Sequence, residues 1–382
     1  MRIRIQSDRI LSPQGIFSGY IYCTDGMITE VTLNGSLPYD KAYDRTGLYV
    51  SAGFIDMHTH GANGFDFSAT ADDIVNGCNF LLRHGATSVC PTVSAAPFFK
   101  MAAAVHSIRS AMKSPRLQTH IPGAHLEGPY LSPAQCGAQN AAILTDPVPE
   151  EYTALVRECG GAIIRWTYAP ERDPRGTFCS FLRQNGIVPS AGHTDATYSQ
   201  MLPALENGCN LITHLYSCTS TVTRDHGFRR PGVIETAFLR DDLYVEIIAD
   251  GKHLPPELIR LVLKIKGADH VALVTDSLAP AGTDVTHGMM AQTPFVVENG
   301  VCMLSDRSAF AGSIALPDML VRVLTREAGV SVSETVKMLT AVPAKILGLN
   351  RGVLAEGYEA DIIAFDDEIN IQSAFVSGKE MF

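Results

Sequence analysis

The stretch Ser51-Ala-Gly-Phe-Ile-Asp-Met-His-Thr-His60 is an apolar run closed by two histidines, and Gly61-Ala-Asn-Gly64 follows it directly. The run reads as a buried strand. Side chains two apart on a strand share a face, so His58 and His60 can converge on one point. Taken alone, the pair suits either a metal site or two core histidines satisfied by hydrogen bonds. Glycines just past the strand suit backbone that must pass close to such a site.

The same arrangement recurs outward from this stretch. Short apolar strands are read at 87–91, 121–126, 163–168, 188–191, 211–214, 244–248 and 271–275. They alternate with helical stretches such as 72–84, 97–112 and 254–266. Regular alternation of this kind argues for parallel βα units. Polar residues stand at the ends of these strands: His58, His60, Glu127, His193, His214 and Asp276, with His253 a little beyond its strand. In a closed (β/α)8 barrel those ends meet at one mouth, where active sites are built.

Each candidate has a bland alternative. Glu127, in His125-Leu-Glu-Gly-Pro129, lies inside an apolar strand, where an unpaired charge is costly, so a mere surface carboxylate is a poor reading. His125 shares its face and serves equally well as a hydrogen-bonding neighbour, so it ranks below Glu127 as a ligand. His193 and His214 add two imidazoles. One carboxylate with two histidines leaves room for water on a divalent ion, which is the open arrangement of a catalytic site. A closed structural zinc site would draw on Cys209 and Cys218, and neither ends a strand. Asp276 closes the strand Val271-Ala-Leu-Val-Thr, where a carboxylate can accept a proton from water and later return it. His84, His106, His120, His226, His270 and His287 fall in helices or loops and receive no role.

Composition sets the limits. The 382 residues allow two ordinary domains or one large barrel with an appendage, and 46% hydrophobic against 18% charged residues can bury a core. Thirty basic against forty acidic residues give a net charge of −10, which offers no electrostatic reason to bind nucleic acid. Nine cysteines, an odd number with no Cys-x-x-Cys pair, suit free thiols in a reducing compartment. The N-terminus lacks a signal-like apolar run. The uncharged stretch 85–99, at 15 residues with Pro91 and Pro97, is too short for a membrane helix. The expectation is a soluble cytoplasmic protein without membrane partners.

Together these segments resemble the amidohydrolase superfamily and, within it, the N-acetylglucosamine-6-phosphate deacetylase family. The resemblance is carried by Gly53-Phe-Ile-Asp-Met-His-Thr-His-Gly61, His125-Leu-Glu-Gly-Pro129, Gly192-His-Thr-Asp195, Thr213-His-Leu-Tyr216, Ile248-Ala-Asp-Gly-Lys-His253, Leu273-Val-Thr-Asp276 and Ala311-Gly-Ser313. The tail, Pro343-Ala-Lys-Ile-Leu-Gly-Leu349 and Gly357-Tyr-Glu-Ala-Asp361, fits as well. Dihydroorotase- and hydantoinase-like relatives are expected to use a carboxylated lysine where Glu127 stands here.

The resemblance implies an α/β fold: a distorted TIM (β/α)8 barrel over 51–344, with a small β-sandwich domain formed from both termini, 1–50 and 345–382. It implies hydrolysis of the N-acetyl group of an amino-sugar phosphate by one or two divalent metals per chain (Zn, Fe, Mn or Co). Glu127, His193 and His214 would hold the main ion, His58 and His60 match a second metal position, and Asp276 counts among the metal residues as well. Asp276 would be the catalytic base and acid, and His253 would orient the acetyl carbonyl. Gln139, Ser217, Cys218, Arg229, Ala311 and Gly312 would contact the substrate. After His214-Leu-Tyr the family usually reads Asn-Ala-Met; here Ser217-Cys218-Thr219 stands instead, and 220–230 looks longer. That departure puts the sugar in doubt and leaves Arg224 and Arg230 as rivals to Arg229 for the phosphate. A homodimer is expected. The other readings are an N-acetylgalactosamine-6-phosphate deacetylase, another amide or cyclic-imide amidohydrolase, and a non-catalytic metabolite-binding barrel.

Overall fold

A computed structural model describes residues 1–290 and 293–382. Its centre is an eight-stranded parallel sheet of β1 (Phe54–Thr59), β2 (Ala86–Ser94), β3 (Ala124–Glu127), β4 (Ile163–Tyr168), β5 (Val188–Ala191), β6 (Leu211–Ile212), β7 (Tyr244–Ile248) and β8 (Val271–Val274), paired in chain order. These strands are buried on both faces, as parallel strands covered by helices must be. The two ends of the sheet meet. Asp276 N–H donates to the His58 carbonyl (2.9 Å) and His60 N–H to the Ser277 carbonyl (2.8 Å). Thr275 Oγ1 donates to Asp56 at 2.6 Å. The alternation read from the sequence is thus a distorted TIM barrel.

Helices cover the strands through one apolar face. Ala71–Leu82 starts in a Thr70/Asp73 capping box and buries Ile74, Val75, Cys78, Leu81 and Leu82. Around β3 and β4, Tyr130, Trp166 and Phe178 form an aromatic knot, with Tyr130 stacked on Trp166 at 5.8 Å and Phe178 edge-on to Trp166 at 5.2 Å.

Both termini build a second eight-stranded sheet. Arg2–Ser12, Gly15–Thr24, Met27–Thr32, Lys41–Asp44 and Tyr49–Ala52 join Ile362–Phe365, Ile371–Val376 and Lys379–Glu380. The Asp25-Gly26 hairpin forms as expected, both residues having positive φ (51° and 84°), as a tight primed turn requires. Tyr49–Ala52 pairs antiparallel with Ile362–Phe365, so the first and last parts of the chain fold together. This sheet is fastened to the barrel through buried Asp361, which accepts from Arg351 (2.8 Å) and from Ser377 N–H (2.8 Å), with His120 Nε2 at 3.4 Å. His120, given no role from sequence, serves that junction. Arg351 also pairs with Glu359, so one guanidinium bridges both carboxylates of the junction.

Three features differ from the sequence reading. Pairing in β6 stops at Ile212, because His214 turns into the left-handed region (φ 29°) and leaves the ladder. The 220–230 segment folds as an antiparallel hairpin, Thr223–Asp225 with Phe228–Arg230, rather than as a plain long loop. Beyond β8, His287–Met290, Thr293–Glu298, Val301–Leu304 and Phe310–Ser313 form an antiparallel sheet that the strand–helix pattern did not foreshadow. Among the described residues, no helix is long and apolar enough to cross a membrane.

Candidate active site

The strand ends deliver their polar residues to one point. Glu127 Oε1 lies 3.3 Å from His58 Nε2, 3.2 Å from His193 Nε2 and 3.1 Å from His214 Nε2. Its other oxygen lies 3.3 Å from His60 Nε2. Asp276 Oδ1 lies 3.4 Å from His58 Nε2 and 3.3 Å from His60 Nε2. The ligand atoms of His58, Glu127 and His214, and likewise of His58, His60 and Asp276, fall within 4.8 Å of one another.

Local backbone makes this convergence possible. His193 (φ 46°), His214 (φ 29°) and Asp276 (φ 46°) occupy the left-handed region immediately after their strands. Non-glycine residues pay for such a conformation, about 1–3 kcal/mol each, and persist in it where the surrounding structure over-determines them. Here the turn swings each side chain back over the barrel mouth.

The donor set suits a divalent cation. Four imidazoles and two carboxylates, all buried, crowd one volume, and His58 Nε2 and His60 Nε2 are buried without a hydrogen-bond partner. The opposite ring nitrogens are held. His193 Nδ1 contacts the Gln135 carbonyl (2.9 Å), His214 Nδ1 the Ser217 carbonyl (3.0 Å) and His60 Nδ1 the Ser94 hydroxyl (3.1 Å). That is how metal-binding imidazoles are normally oriented. Electrostatics agree. Burial disfavours positive charge on His58 and His60, yet the two carboxylates raise them to about 10 and about 9. Burial likewise opposes ionisation of Glu127, and the surrounding imidazoles, led by His58 and His193, still hold it well below the usual carboxylate range. At His214, by contrast, burial holds the imidazole below its ordinary value.

Other expected residues fall into distinct places. His125 spends both ring nitrogens on hydroxyls, Nε2 on Thr167 Oγ1 (2.7 Å) and Nδ1 on Thr92 Oγ1 (3.1 Å), beneath the centre and edge-on to His58. Gln139 donates to Glu127 Oε2 (2.8 Å) and accepts from Ala95 N–H (3.0 Å). His253 is fixed by Asp250 through Nδ1 (2.7 Å) and backbone N–H (2.8 Å), with Phe310 packed on its ring. Cys218, half-buried with φ 49°, brings its sulfur against Gly137 beside His193. Ala311 and Gly312 lie on the last strand of the extra sheet, and the neighbouring Ser313 N–H donates to the Asp276 carbonyl at 2.9 Å. Arg224, Arg229 and Arg230 all lie in the exposed hairpin. Arg229 donates to the Gly227 carbonyl and Arg230 pairs with Asp225. A cavity of about 500 Å³ adjoins His60, walled by Ser94, Lys100, Asn140, Met290 and Phe295.

The sequence reading missed Arg165 and Glu246, which lie fully buried under the centre. The signal that singled out Glu127, a charge inside an apolar strand, was present at both positions.

The profile of the Amidohydrolase family matches residues 49–381. N-acetylglucosamine-6-phosphate deacetylase from Bacillus subtilis is 30% identical over 378 residues, covering 96% of this chain and 93% of its own. N-acetylgalactosamine-6-phosphate deacetylase from Shewanella is 29% identical over 371 residues, covering 95% and 91%. The structure of a point mutant of N-acetyl-D-glucosamine-6-phosphate deacetylase from Mycobacterium smegmatis, in complex with N-acetyl-D-glucosamine-6-phosphate, superposes with a TM-score of 0.91 at 26% identity. It covers 99% of each chain. A barrel mouth lined by imidazoles and carboxylates, on a chain matched nearly end to end, belongs to a hydrolytic enzyme of the amidohydrolase family.

Proposed function

We propose that this chain removes the N-acetyl group of N-acetylglucosamine 6-phosphate, giving glucosamine 6-phosphate and acetate. The observation that carries the reading is the gathering of four imidazole Nε2 atoms around Glu127 with Asp276 alongside. Relatives acting on this substrate across almost the full chain length support it.

Glu127, His193 and His214 would hold one divalent ion, and His58, His60 and Asp276 a second. Zn, Fe, Mn and Co all suit this oxygen and nitrogen donor set. Such an ion supplies Lewis acidity, bringing the ionisation of water close to neutral pH. The chain's own residues do the rest. Asp276 takes a proton from the attacking water as the new C–O bond forms at the acetyl carbon. It returns that proton to the sugar nitrogen as the C–N bond breaks, which regenerates the Asp276 carboxylate, and the acetic acid released gives its own proton to the free amine or to water to become acetate. His253, pinned by Asp250, presents its free Nε2 to the acetyl carbonyl. Gln139, Ser217, Cys218, Ala311 and Gly312 shape the sugar site, and Arg229 meets the phosphate with a guanidinium fork.

A galactosamine epimer is the second reading. It is favoured by the similarity to the Shewanella enzyme and by Ser217-Cys218-Thr219 in the sugar loop. The deciding assay measures acetate release from N-acetylated hexosamines of both configurations, each with and without its 6-phosphate. Fastest turnover of N-acetylglucosamine 6-phosphate supports the proposal, and preference for the galacto epimer favours the second reading. No release from any of them removes both.

A further inference from the structure

His58 is oriented differently from the other three imidazoles. His193 and His214 lean on backbone carbonyls and His60 on a hydroxyl, but His58 Nδ1 faces a second carboxylate, Glu246 Oε2, at 3.4 Å, with both side chains fully buried. The same Oε2 accepts from His214 backbone N–H at 3.3 Å. Glu246 therefore touches both halves of the centre from below. Its far side is occupied by Arg165, which grips both oxygens, Nη2 to Oε2 at 2.8 Å and Nη1 to Oε1. Arg165 also donates to Ser190 Oγ (3.1 Å), Thr213 Oγ1 (2.8 Å) and the Met57 carbonyl (3.3 Å). Every donor of this buried ion pair is directed at strands β1, β5 or β7 or at Thr213, just past β6.

Barrel interiors are usually filled by branched apolar side chains. Burying an ion pair in their place is often no more stabilising than packed hydrocarbon, so stability alone does not account for it. A carboxylate on Nδ1 fixes the imidazole tautomer, keeping the proton there and the Nε2 lone pair free toward Glu127 and Asp276. A third carboxylate beside those two would repel them, and Arg165 cancels that charge from behind.

We propose that Glu246, balanced by Arg165, is a positioning carboxylate that sets His58 as a ligand, so that cation occupancy at His58–His60–Asp276 depends on this pair. The proposal rests on the reading of the centre as a two-cation site. Occupancy at Glu127–His193–His214 depends on it far less, because both of those imidazoles have carbonyl partners of their own.

The test uses the full chain loaded with Mn(II), with metal per chain measured after equilibrium dialysis and the coupled two-ion signal followed by electron paramagnetic resonance. Wild type should hold two ions and show coupling. Glu246→Gln should weaken the second ion roughly 10–100-fold and abolish the coupled signal while retaining the first. Because that variant strands Arg165, the double variant Arg165→Met/Glu246→Gln removes both charges. It should regain thermal stability and still hold one ion. Two coupled ions at wild-type affinity in either variant overturn the proposal, since the pair would then be only structural. A wild type that binds one ion overturns it while leaving the Glu127 site standing; one that binds none overturns the metal centre as well.

Discussion

Replacing Gly192 by alanine probes how closely the barrel mouth is set. Gly192 precedes His193, and its backbone lies outside the left-handed region, so the change acts through volume alone. An added Cβ would sit 2.6 Å from Thr213 Cβ and 2.9 Å from Thr167 Cγ2. Carbon atoms rest about 3.5–4.0 Å apart, so the ends of β5 and β6 must separate by about 1 Å. Those ends carry His193 and His214, whose Nε2 atoms are 3.2 Å apart. Overpacking of this kind costs about 1–3 kcal/mol. A displacement of about 1 Å at a reacting centre can cost about 100-fold in rate. Gly192→Ala should therefore lose cation affinity and about two orders of magnitude in kcat, with a modest fall in Tm. Metal titration, steady-state kinetics and thermal unfolding measure all three. Wild-type metal affinity and kcat in a folded variant would refute the claim that close approach of these two strand ends builds the site.

Asp276→Asn should lower kcat by about 100- to 10,000-fold, the range for a lost proton-transfer group, while the ion at Glu127–His193–His214 stays; single-turnover kinetics with elemental analysis decide this. Of the nine cysteines, Cys136 and Cys218 are half-buried and the other seven buried, with burial pushing the Cys23, Cys90 and Cys302 thiols up to about 12. A thiol reagent at pH 8 should label two sites quickly on the folded protein, and Cys218→Ser should remove one. Burial opposes ionisation of Glu246, but Arg165 and His58 bring it down to about 2. A carboxylate lowered on folding stabilises fully above its unfolded value of about 4.3 and loses that contribution as pH falls through about 2. Acid unfolding followed by circular dichroism should steepen in that window for wild type and flatten in Arg165→Met/Glu246→Gln.

The parts legible in the sequence were those where local chemistry is expensive to ignore. A carboxylate in an apolar strand, as at Glu127 and Asp276, must find a partner, so its presence announces one. The His58-x-His60 spacing, combined with strand periodicity, puts two imidazoles on one side. The Asp25-Gly26 turn is readable because few residues accept positive φ. From such elements the parallel βα architecture and the gathering of ligands could be anticipated, whereas the joining of both termini in one small domain was implied by the family resemblance.

Tertiary structure decided what depends on closure. The barrel seam brings His58 and His60 against Asp276, more than two hundred residues later in the chain, and no local pattern encodes a distance across it. His125 and Glu127 occupy one face of a strand, and the sequence ranks His125 lower as a ligand without showing what satisfies it. Only the hydroxyls of Thr92 and Thr167, arriving from neighbouring strands, show that His125 is already satisfied. Arg165 and Glu246 carried the same buried-charge signal as Glu127. Which charge would meet which was fixed by the stagger of strands around the barrel, because an ion pair in an apolar interior forms only where packing brings its two halves within reach.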